Sequence, residues 1–161
     1  MKSHDRNVLF SSKKMDWSTP PAFFDTLNEE FNFTLDACAS SKNTKCDNFF
    51  TANEDSLIQS WEGNTVFCNP PYGSGIKHWV KKCFEEGQKP KTKVVMLIPS
   101  RTDTRYWHDY VMRSQRIYFI KGRLKFGGSD TSAPFPSAVV VFDGTGGSPD
   151  YFPIVKALGN S

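Results

Sequence analysis

The sequence lacks any long apolar run and any cysteine pattern of the kind that binds zinc. No stretch approaches the roughly 18 apolar residues that a membrane span needs, and residues 1–6 lack the apolar core of a signal peptide. The four cysteines (Cys38, Cys46, Cys68 and Cys83) form no CxxC pair and have no histidine partner at zinc spacing. We therefore expect a cytoplasmic protein with reduced, mostly buried thiols, no metal site and no membrane partner.

The length bounds the organisation of the chain. Its 161 residues can form one domain with a proper core and leave little room for a second. The 14 phenylalanines indicate a globular protein rather than a disordered one. We expect a flexible tail over residues 1–15, one domain over 16–143, and an extension over 144–161 with room for a last strand near 152–155. We expect a monomer, with a dimer left open.

Positive charge is concentrated in the second half of the chain. Residues 1–80 hold 7 Lys and Arg against 10 Asp and Glu, whereas residues 81–125 hold 12 against 4. Such an imbalance is typical of a fold that presents one end to a polyanion. A solvated basic helix face over residues 81–93 accounts for part of it. The remaining basic residues lie in predicted loops and strand ends, and this favours nucleic acid as the partner.

Hydrophobic periodicity predicts helices and strands that alternate along the chain. The predicted helices begin at Ser18-Thr19-Pro20-Pro21 and cover about 75–87 and about 102–112. The predicted strands cover 33–37, 65–68, 94–98, 116–120 and 138–142, with another short strand at 46–50. The continuous apolar run at 94–98 is typical of strands buried in parallel sheets. The alternation predicts a single α/β domain built on one sheet.

The tetrapeptide Asn69-Pro70-Pro71-Tyr72 follows a buried strand and precedes a glycine loop. The two prolines lock φ and remove two N–H donors, so the side-chain oxygen of Asn69 and the carbonyl of Pro70 remain as acceptors. Tyr72 adds a flat aromatic face, and the glycines allow close backbone approach. This combination suits a planar amine such as the exocyclic amine of adenine. A proline-rich turn that only ends a core strand is the alternative.

Asp36 ends an earlier strand much as Asn69 ends a later one. Ligands in open α/β sheets bind at the carboxyl ends of strands, so both side chains are expected at one site. Only 33 positions separate them, which is short for two strand–helix units. We therefore expect the alternation of strands and helices to be trimmed between Asp36 and Asn69, by loss of a helix.

The chain resembles the small phage-type DNA N-6-adenine methyltransferases over roughly residues 16–143. The resemblance rests on Asp-Trp-Ser-Thr-Pro at 16–20, Leu-Asp-Ala-Cys-Ala-Ser at 35–40, Asn-Pro-Pro-Tyr-Gly at 69–73, Pro-Ser-Arg-Thr-Asp-Thr at 99–104 and Gly-Arg-Leu-Lys-Phe at 122–126. It implies a Rossmann-like methyltransferase domain with S-adenosylmethionine as donor. It also implies adenine in double-stranded DNA as acceptor, reached by base flipping and methylated by direct in-line transfer.

The resemblance also implies roles for individual residues. The catalytic residues would be Asn69, Pro70, Pro71 and Tyr72, and the residues that bind the cofactor would be Trp17, Thr19, Pro20, Asp36, Ala37, Asp47, Asp55, Ser56 and Asn69. Methyltransferases commonly have a glycine-rich turn after the first strand, where this chain has small Ala and Ser residues. The alternatives are a loop cap for Asp36, a helix start for Trp17 to Pro20, and ordinary turns for Asp47 and Asp55.

Four basic residues are predicted to bind DNA: Arg101, Arg105, Arg123 and Lys125. Related tetrapeptides also serve enzymes that methylate cytosine N-4, RNA adenine or protein glutamine, and the basic loops favour nucleic acid over protein. A degenerate methyltransferase kept as a DNA-binding module is a further alternative. The intact tetrapeptide opposes this alternative, whereas the missing glycine turn supports it. The family suggests protection of phage DNA from restriction enzymes in the host cytoplasm.

Overall fold

The computed structural model describes residues 17–39, 43–145 and 153–159. The helices are α1 (Pro21–Phe31), α2 (Ile76–Glu86) and α3 (Arg105–Asp109). The strands are β1 (Leu35–Asp36), β2 (Thr65–Cys68), β3 (Lys93–Pro99), β4 (Arg116–Ile120), β5 (Ser137–Asp143) and β6 (Ile154–Leu158). The expected flexible tail over residues 1–15 lies outside the described residues.

The six strands form one mixed sheet in the order β1-β2-β3-β5-β4-β6. The pairs β1–β2, β2–β3 and β4–β6 are parallel, whereas β5 runs antiparallel to both of its neighbours, β3 and β4. The prediction of an α/β domain on a single sheet is therefore confirmed. The apolar run at 94–98 is a buried central strand, as predicted, but it is parallel only to β2.

The strand directions bring several loops to the same edge of the sheet. Strands β1, β2 and β3 run the same way, and β4 shares their direction because both β3 and β4 oppose β5. The carboxyl ends of these four strands therefore share one edge. The connection from β4 to β5, residues 121–136, begins and ends at that edge. We call this the carboxyl edge.

Two predicted elements are shorter in the structure. The strand expected at 33–37 covers only Leu35–Asp36, because Asn32 takes a left-handed conformation (φ 54°) at the end of α1 and the N–H of Phe33 donates to Oδ1 of Asn28. The segment at 46–50 contributes a single bridge, between Phe49 and Asp36.

The helix expected over about 102–112 is divided. The hydroxyl of Thr104 caps α3 by accepting the N–H of Trp107 at 3.4 Å. Tyr110 then leaves helical geometry (φ −127°, ψ −52°), and Val111–Arg113 forms a separate 3₁₀ turn. The apolar positions keep their inward orientation, since Trp107 and Val111 are both buried.

The connection from β1 to β2 has no α-helix among its described residues. It contains one 3₁₀ turn, Ser56–Ile58. The expected trimming between Asp36 and Asn69 stays a prediction with which this connection agrees.

A buried carboxylate ties α2 to this helix-free connection. Glu86 is 2% exposed and accepts hydrogen bonds from Lys82 Nζ at 2.7 Å, Lys89 Nζ at 2.8 Å and the backbone N–H of Trp61 at 3.1 Å. Burial alone would raise the pKa of Glu86, but the hydrogen bonds from the two lysines overcome it, so the pKa is lowered. The indole of Trp61 in turn donates to Oγ of Ser56 at 3.1 Å. Glu86 therefore holds the 3₁₀ turn in place.

Candidate active site

A cavity of about 510 Å³ opens at the carboxyl edge, between the ends of β1 and β2. This volume lies within the range of small-molecule sites. Its walls are formed by Trp17, Ser18, Thr19, Asp36, Ala37, Cys38, Ala39, Asn43, Lys45, Phe50, Thr51, Ala52, Asp55, Ser56, Phe67, Asn69, Pro70, Pro71 and Trp79. Four separate segments thus meet there: the residues before α1, the end of β1 with the β1–β2 connection, the end of β2 with the turn after it, and α2.

Seven of the nine residues predicted to bind the cofactor line this cavity: Trp17, Thr19, Asp36, Ala37, Asp55, Ser56 and Asn69. The other two lie elsewhere. Pro20 adjoins Thr19, and its carbonyl accepts the N–H of Phe24 at the start of α1. Asp47 lines a second concavity, with Leu35 and Asn64 among its neighbours.

The side chain of Asn69 is held by the segment that precedes α1. Its Nδ2 donates to the backbone carbonyl of Trp17 at 2.8 Å and to Oγ1 of Thr19 at 3.0 Å. Its Oδ1 accepts the phenol O–H of Tyr72 at 3.0 Å. A primary amide has two donor hydrogens and two acceptor lone pairs. Both hydrogens are therefore used, and one lone pair of Oδ1 remains.

The backbone carbonyl of Pro70, the residue that follows Asn69, is a second hydrogen-bond acceptor. Pro70 is buried, and no group among the described residues donates a hydrogen bond to its carbonyl. The two acceptors expected from the tetrapeptide are therefore both present, and both have capacity for a ligand N–H. Pro71, between Pro70 and Tyr72, lines the cavity.

Tyr72 belongs to a cluster of four aromatic rings. Its ring centroid lies 5.6 Å from that of Trp17, 6.1 Å from that of Phe126 and 5.4 Å from that of Phe135. The rings of Trp17, Phe126 and Phe135 also contact one another. Burial raises the pKa of the Tyr72 phenol, so the phenol stays protonated and remains a donor to Asn69.

Asp36 is a buried carboxylate that organises the loop after β1. It is 3% exposed and accepts the backbone N–H of Lys45 at 3.0 Å and that of Cys38 at 3.3 Å. Burial raises the pKa of Asp36, and these two hydrogen bonds oppose the rise. The side chain is therefore a loop cap that also faces the cavity, and lone pairs on its two oxygens remain for a ligand.

The four cysteines are free thiols. Cys68 and Cys83 are fully buried, as their apolar surroundings predicted, and Cys38 lines the cavity. Burial raises the pKa of Cys38 to about 12, so its thiol is neutral at physiological pH and is not a nucleophile.

The predicted DNA-binding residues follow strands at the carboxyl edge. Arg101 and Arg105 follow β3, and Arg123 and Lys125 follow β4; all four are exposed. The two loops meet, since the N–H of Ser100 donates to the carbonyl of Pro136 at 2.9 Å. Nη1 of Arg123 donates to the carbonyl of Ala133 at 3.3 Å, within its own loop.

Sequence reasoning assigned no role to several residues that shape the site. Lys45, Phe50 and Trp79 line the cavity, and Phe126 and Phe135 complete the aromatic cluster. Phe126 lies in the Gly-Arg-Leu-Lys-Phe segment on which the resemblance rests. Its place in that segment is the sequence feature that could have indicated a role in the site. No feature of the sequence indicated that Lys45, Phe50 and Trp79 would line the cavity.

In the part of the chain that the structure describes, no group of three or more His, Cys, Asp or Glu side chains is arranged to hold a metal ion. No helix there is both long and apolar enough to cross a bilayer.

The fold and the cavity define an α/β protein with a cavity at the carboxyl ends of its parallel strands, where ligands bind in open α/β sheets. The family model of DNA N-6-adenine-methyltransferase (Dam) matches residues 7–143. The chain therefore belongs to this family. A DNA N-6-adenine-methyltransferase of Haemophilus phage HP1 (strain HP1c1) is 32% identical over 128 residues, which is 75% of this chain and 73% of the phage protein. One of Escherichia phage T1 is 30% identical over 110 residues, which is 67% of this chain and 45% of that protein.

Proposed function

We propose that this protein transfers a methyl group from S-adenosylmethionine to the N-6 amine of adenine in double-stranded DNA. The observation that carries the proposal is the pair of unused acceptors, one lone pair of Asn69 Oδ1 and the carbonyl of Pro70, in a chain of this family. A planar amine has two N–H donors, which these two acceptors match.

The properties of the cavity support S-adenosylmethionine as the group bound there. Bound cofactor supplies a methyl group activated by a sulfonium. Asp36 and Asp55 offer carboxylates for its ammonium or its ribose hydroxyls, and Lys45 offers a cation for its carboxylate. Phe50 and Trp79 supply apolar walls. Ala37 and Ala39 keep the loop after β1 small where a glycine-rich turn is usual, so the backbone can still approach a ligand closely.

The chemistry assigned to the tetrapeptide is orientation of the amine. The adenine amine is a poor nucleophile because its lone pair is delocalised into the ring. Hydrogen bonds from its two N–H groups to Asn69 and Pro70 favour a pyramidal nitrogen with its lone pair directed at the methyl carbon. When bound, S-adenosylmethionine would supply the methyl group to this lone pair and would leave as a neutral thioether, and the methylated amine would release its proton to water. Tyr72 offers the ring on which the flipped base stacks.

We further propose that residues 16–143 form a trimmed Rossmann-like methyltransferase domain. Three adjacent parallel strands, a ligand cavity at their carboxyl ends and a helix-free β1–β2 connection support this assignment. One chain contributes both the cavity and the acceptor site, so a monomer is sufficient for activity. Light scattering during gel filtration tests the monomer.

The test uses S-adenosylmethionine labelled in its methyl group and four acceptors: duplex DNA, single-stranded DNA, RNA and a glutamine-containing protein. We expect label in duplex DNA, and mass spectrometry of the nucleosides should identify N-6-methyladenine. N-4-methylcytosine, or label only in RNA or protein, would replace the proposed substrate.

The matched variant is Asn69→Ala, which removes one of the two acceptors together with the hydrogen bonds of the amide to Trp17, Thr19 and Tyr72. It should lower turnover by about 10²–10³, the usual cost of losing a preorganised polar contact in the transition state, while calorimetry finds cofactor affinity within a few-fold. A wild-type protein that binds no S-adenosylmethionine would favour the non-catalytic module.

A further inference from the structure

The orientation of the Asn69 amide is set by atoms outside the tetrapeptide. A backbone carbonyl can only accept, so the amide atom 2.8 Å from the carbonyl of Trp17 has to be Nδ2. In the opposite orientation, Oδ1 would lie against that carbonyl. The two hydrogens of Nδ2 would then face the adenine amine, whose own N–H groups need an acceptor. We propose that the Trp17 carbonyl and the Thr19 hydroxyl act together as a positioning pair that keeps Oδ1 of Asn69 facing the adenine amine. This inference rests on the proposed function.

The segment that carries the pair is itself firmly held. The Trp17 ring packs in the aromatic cluster, and the carbonyl of Ser18 accepts the N–H of Gly127 at 3.0 Å. Thr19 is 3% exposed, and Pro20 leads directly into α1. The two orienting oxygens therefore have little freedom to move. A catalytic group needs this kind of rigid support to hold productive geometry.

The same contacts select asparagine over aspartate at position 69. An aspartate would place a carboxylate oxygen against the Trp17 carbonyl with no proton between them. Thr19 could donate to one carboxylate oxygen by rotating its hydroxyl, but the Trp17 carbonyl has no donor to offer. In methyltransferases with a related tetrapeptide, the first residue is either Asp or Asn. This similarity alone would predict partial activity for Asn69→Asp. The structure predicts that this chain cannot use Asp.

The first test compares Thr19→Val, which removes the hydroxyl and keeps the shape, with Thr19→Ser, which keeps the hydroxyl. Losing one hydrogen bond to the amide should lower kcat about tenfold in Thr19→Val, and Thr19→Ser should restore most of it. The dissociation constant for S-adenosylmethionine should change by less than about threefold in both. Thr26→Val, an exposed change on α1, is the matched control and should leave kcat unaltered.

Each outcome of this comparison has one meaning. A lower kcat with unchanged cofactor affinity supports the positioning role. Weaker cofactor binding with unchanged kcat would make Thr19 a cofactor contact only and overturn the proposal. Equal kcat values in Thr19→Val and wild type would also overturn it.

The second test is Asn69→Asp, whose kcat should be no higher than that of Asn69→Ala. An Asn69→Asp kcat clearly above that of Asn69→Ala would overturn the role of the Trp17 carbonyl. A third readout needs no turnover: the Nδ2 hydrogens of Asn69, identified by nuclear magnetic resonance through their loss in Asn69→Asp, should exchange slowly in wild type. One of them should shift and exchange faster in Thr19→Val, and unchanged resonances there would count against the pair. Because this readout does not depend on the substrate, failure of the positioning pair can be told apart from failure of the proposed reaction.

Discussion

The phenol of Tyr72 donates a hydrogen bond to Oδ1 of Asn69 at 3.0 Å, so the last residue of the tetrapeptide contacts the first. The same oxygen is the one assigned to the acceptor amine. Tyr72 thereby takes one lone pair and leaves the other for the amine. Its contribution as a donor can be separated from its contribution as a ring.

Tyr72→Phe keeps the ring and loses the donor. We expect its turnover to fall about three- to tenfold, the usual range for one neutral hydrogen bond. Tyr72→Ala also loses the stacking surface, which is worth roughly 1–3 kcal/mol per base, so its turnover should be lower by a further factor of about 5 to 150. Single-turnover kinetics on duplex DNA measure both. Equal turnover in the two variants would mean that the ring contributes nothing.

Cofactor affinity should depend on pH through Asp36. Its pKa is raised in the folded protein, mainly by burial, and the ionised form is the better acceptor for a cationic ligand. Affinity should therefore be full above this raised pKa and fall as the pH descends through it. Asp36→Asn should weaken binding by about 1.5–3 kcal/mol, the range for a hydrogen bond to a charged group. Calorimetry from pH 4 to 8 should show a flat profile for the variant.

Other titratable groups, Lys45 and Asp55 among them, also line the cavity. If Asp36→Asn keeps the wild-type pH profile, the pH dependence of binding does not come from Asp36. If it keeps the wild-type affinity as well, Asp36 is a loop cap only.

Glu86 should make stability depend on pH in the acid range. Because its folded pKa is lowered, its contribution is present above its unfolded pKa of about 4.5 and is lost as the pH falls through the folded value. Glu86→Gln should lower the free energy of unfolding at pH 7 by about 1–3 kcal/mol and should lose less on acidification. Urea unfolding at pH 7 and pH 3 measures both effects.

Glu85→Gln is the matched control on the same helix. Glu85 is exposed and lies 3.8 Å from Lys81, and exposed pairs of this kind contribute little. A loss in Glu85→Gln as large as in Glu86→Gln would show that burial of Glu86 is not the source of its effect.

DNA affinity should weaken steeply with salt if the carboxyl-edge cations contact phosphates. Removing one contact, as in Lys125→Ala, should lower the log–log salt slope by about 1. Arg123→Ala should reduce affinity for every duplex by a similar factor and leave the choice of adenine unchanged. Lys91→Ala is the control, because this exposed lysine precedes β3 at the opposite edge. Fluorescence anisotropy at several salt concentrations measures the slopes.

An altered sequence preference in Arg123→Ala would instead mean that Arg123 contacts a base edge, most naturally that of guanine. A slope equal to wild type in Lys125→Ala, matching the Lys91 control, would remove this loop from the DNA interface.

Local sequence patterns were sufficient to predict most helices and strands, and also the two polar residues at strand ends, Asp36 and Asn69. Helix α2 and strand β2 lie within one residue of their predicted bounds, and Asp36 and Asn69 both reach the cavity as expected. These features depend on periodicity and on proline, which act over a few residues. The ends of β1 and α3 differ from their predicted positions because the hydrogen bond from the N–H of Phe33 to Oδ1 of Asn28 and the backbone geometry of Tyr110 override periodicity.

The remaining features depend on distant contacts. The bonds from Asn69 to Trp17 and Thr19 span 52 and 50 residues, and no local pattern contains them. The direction of β5 was equally hidden, because a buried apolar strand has the same appearance whether it runs parallel or antiparallel.

The aromatic cluster also has a consequence for how the protein is made. Phe126 and Phe135 lie in the last quarter of the described chain, yet they pack on Trp17, near its beginning. Contacts between such distant positions close late in folding, because the entropy of the intervening loop is lost first. A nascent chain still on the ribosome, with these two phenylalanines not yet released, has no complete acceptor pocket. Methylating activity should therefore begin only after Phe135 has left the ribosome.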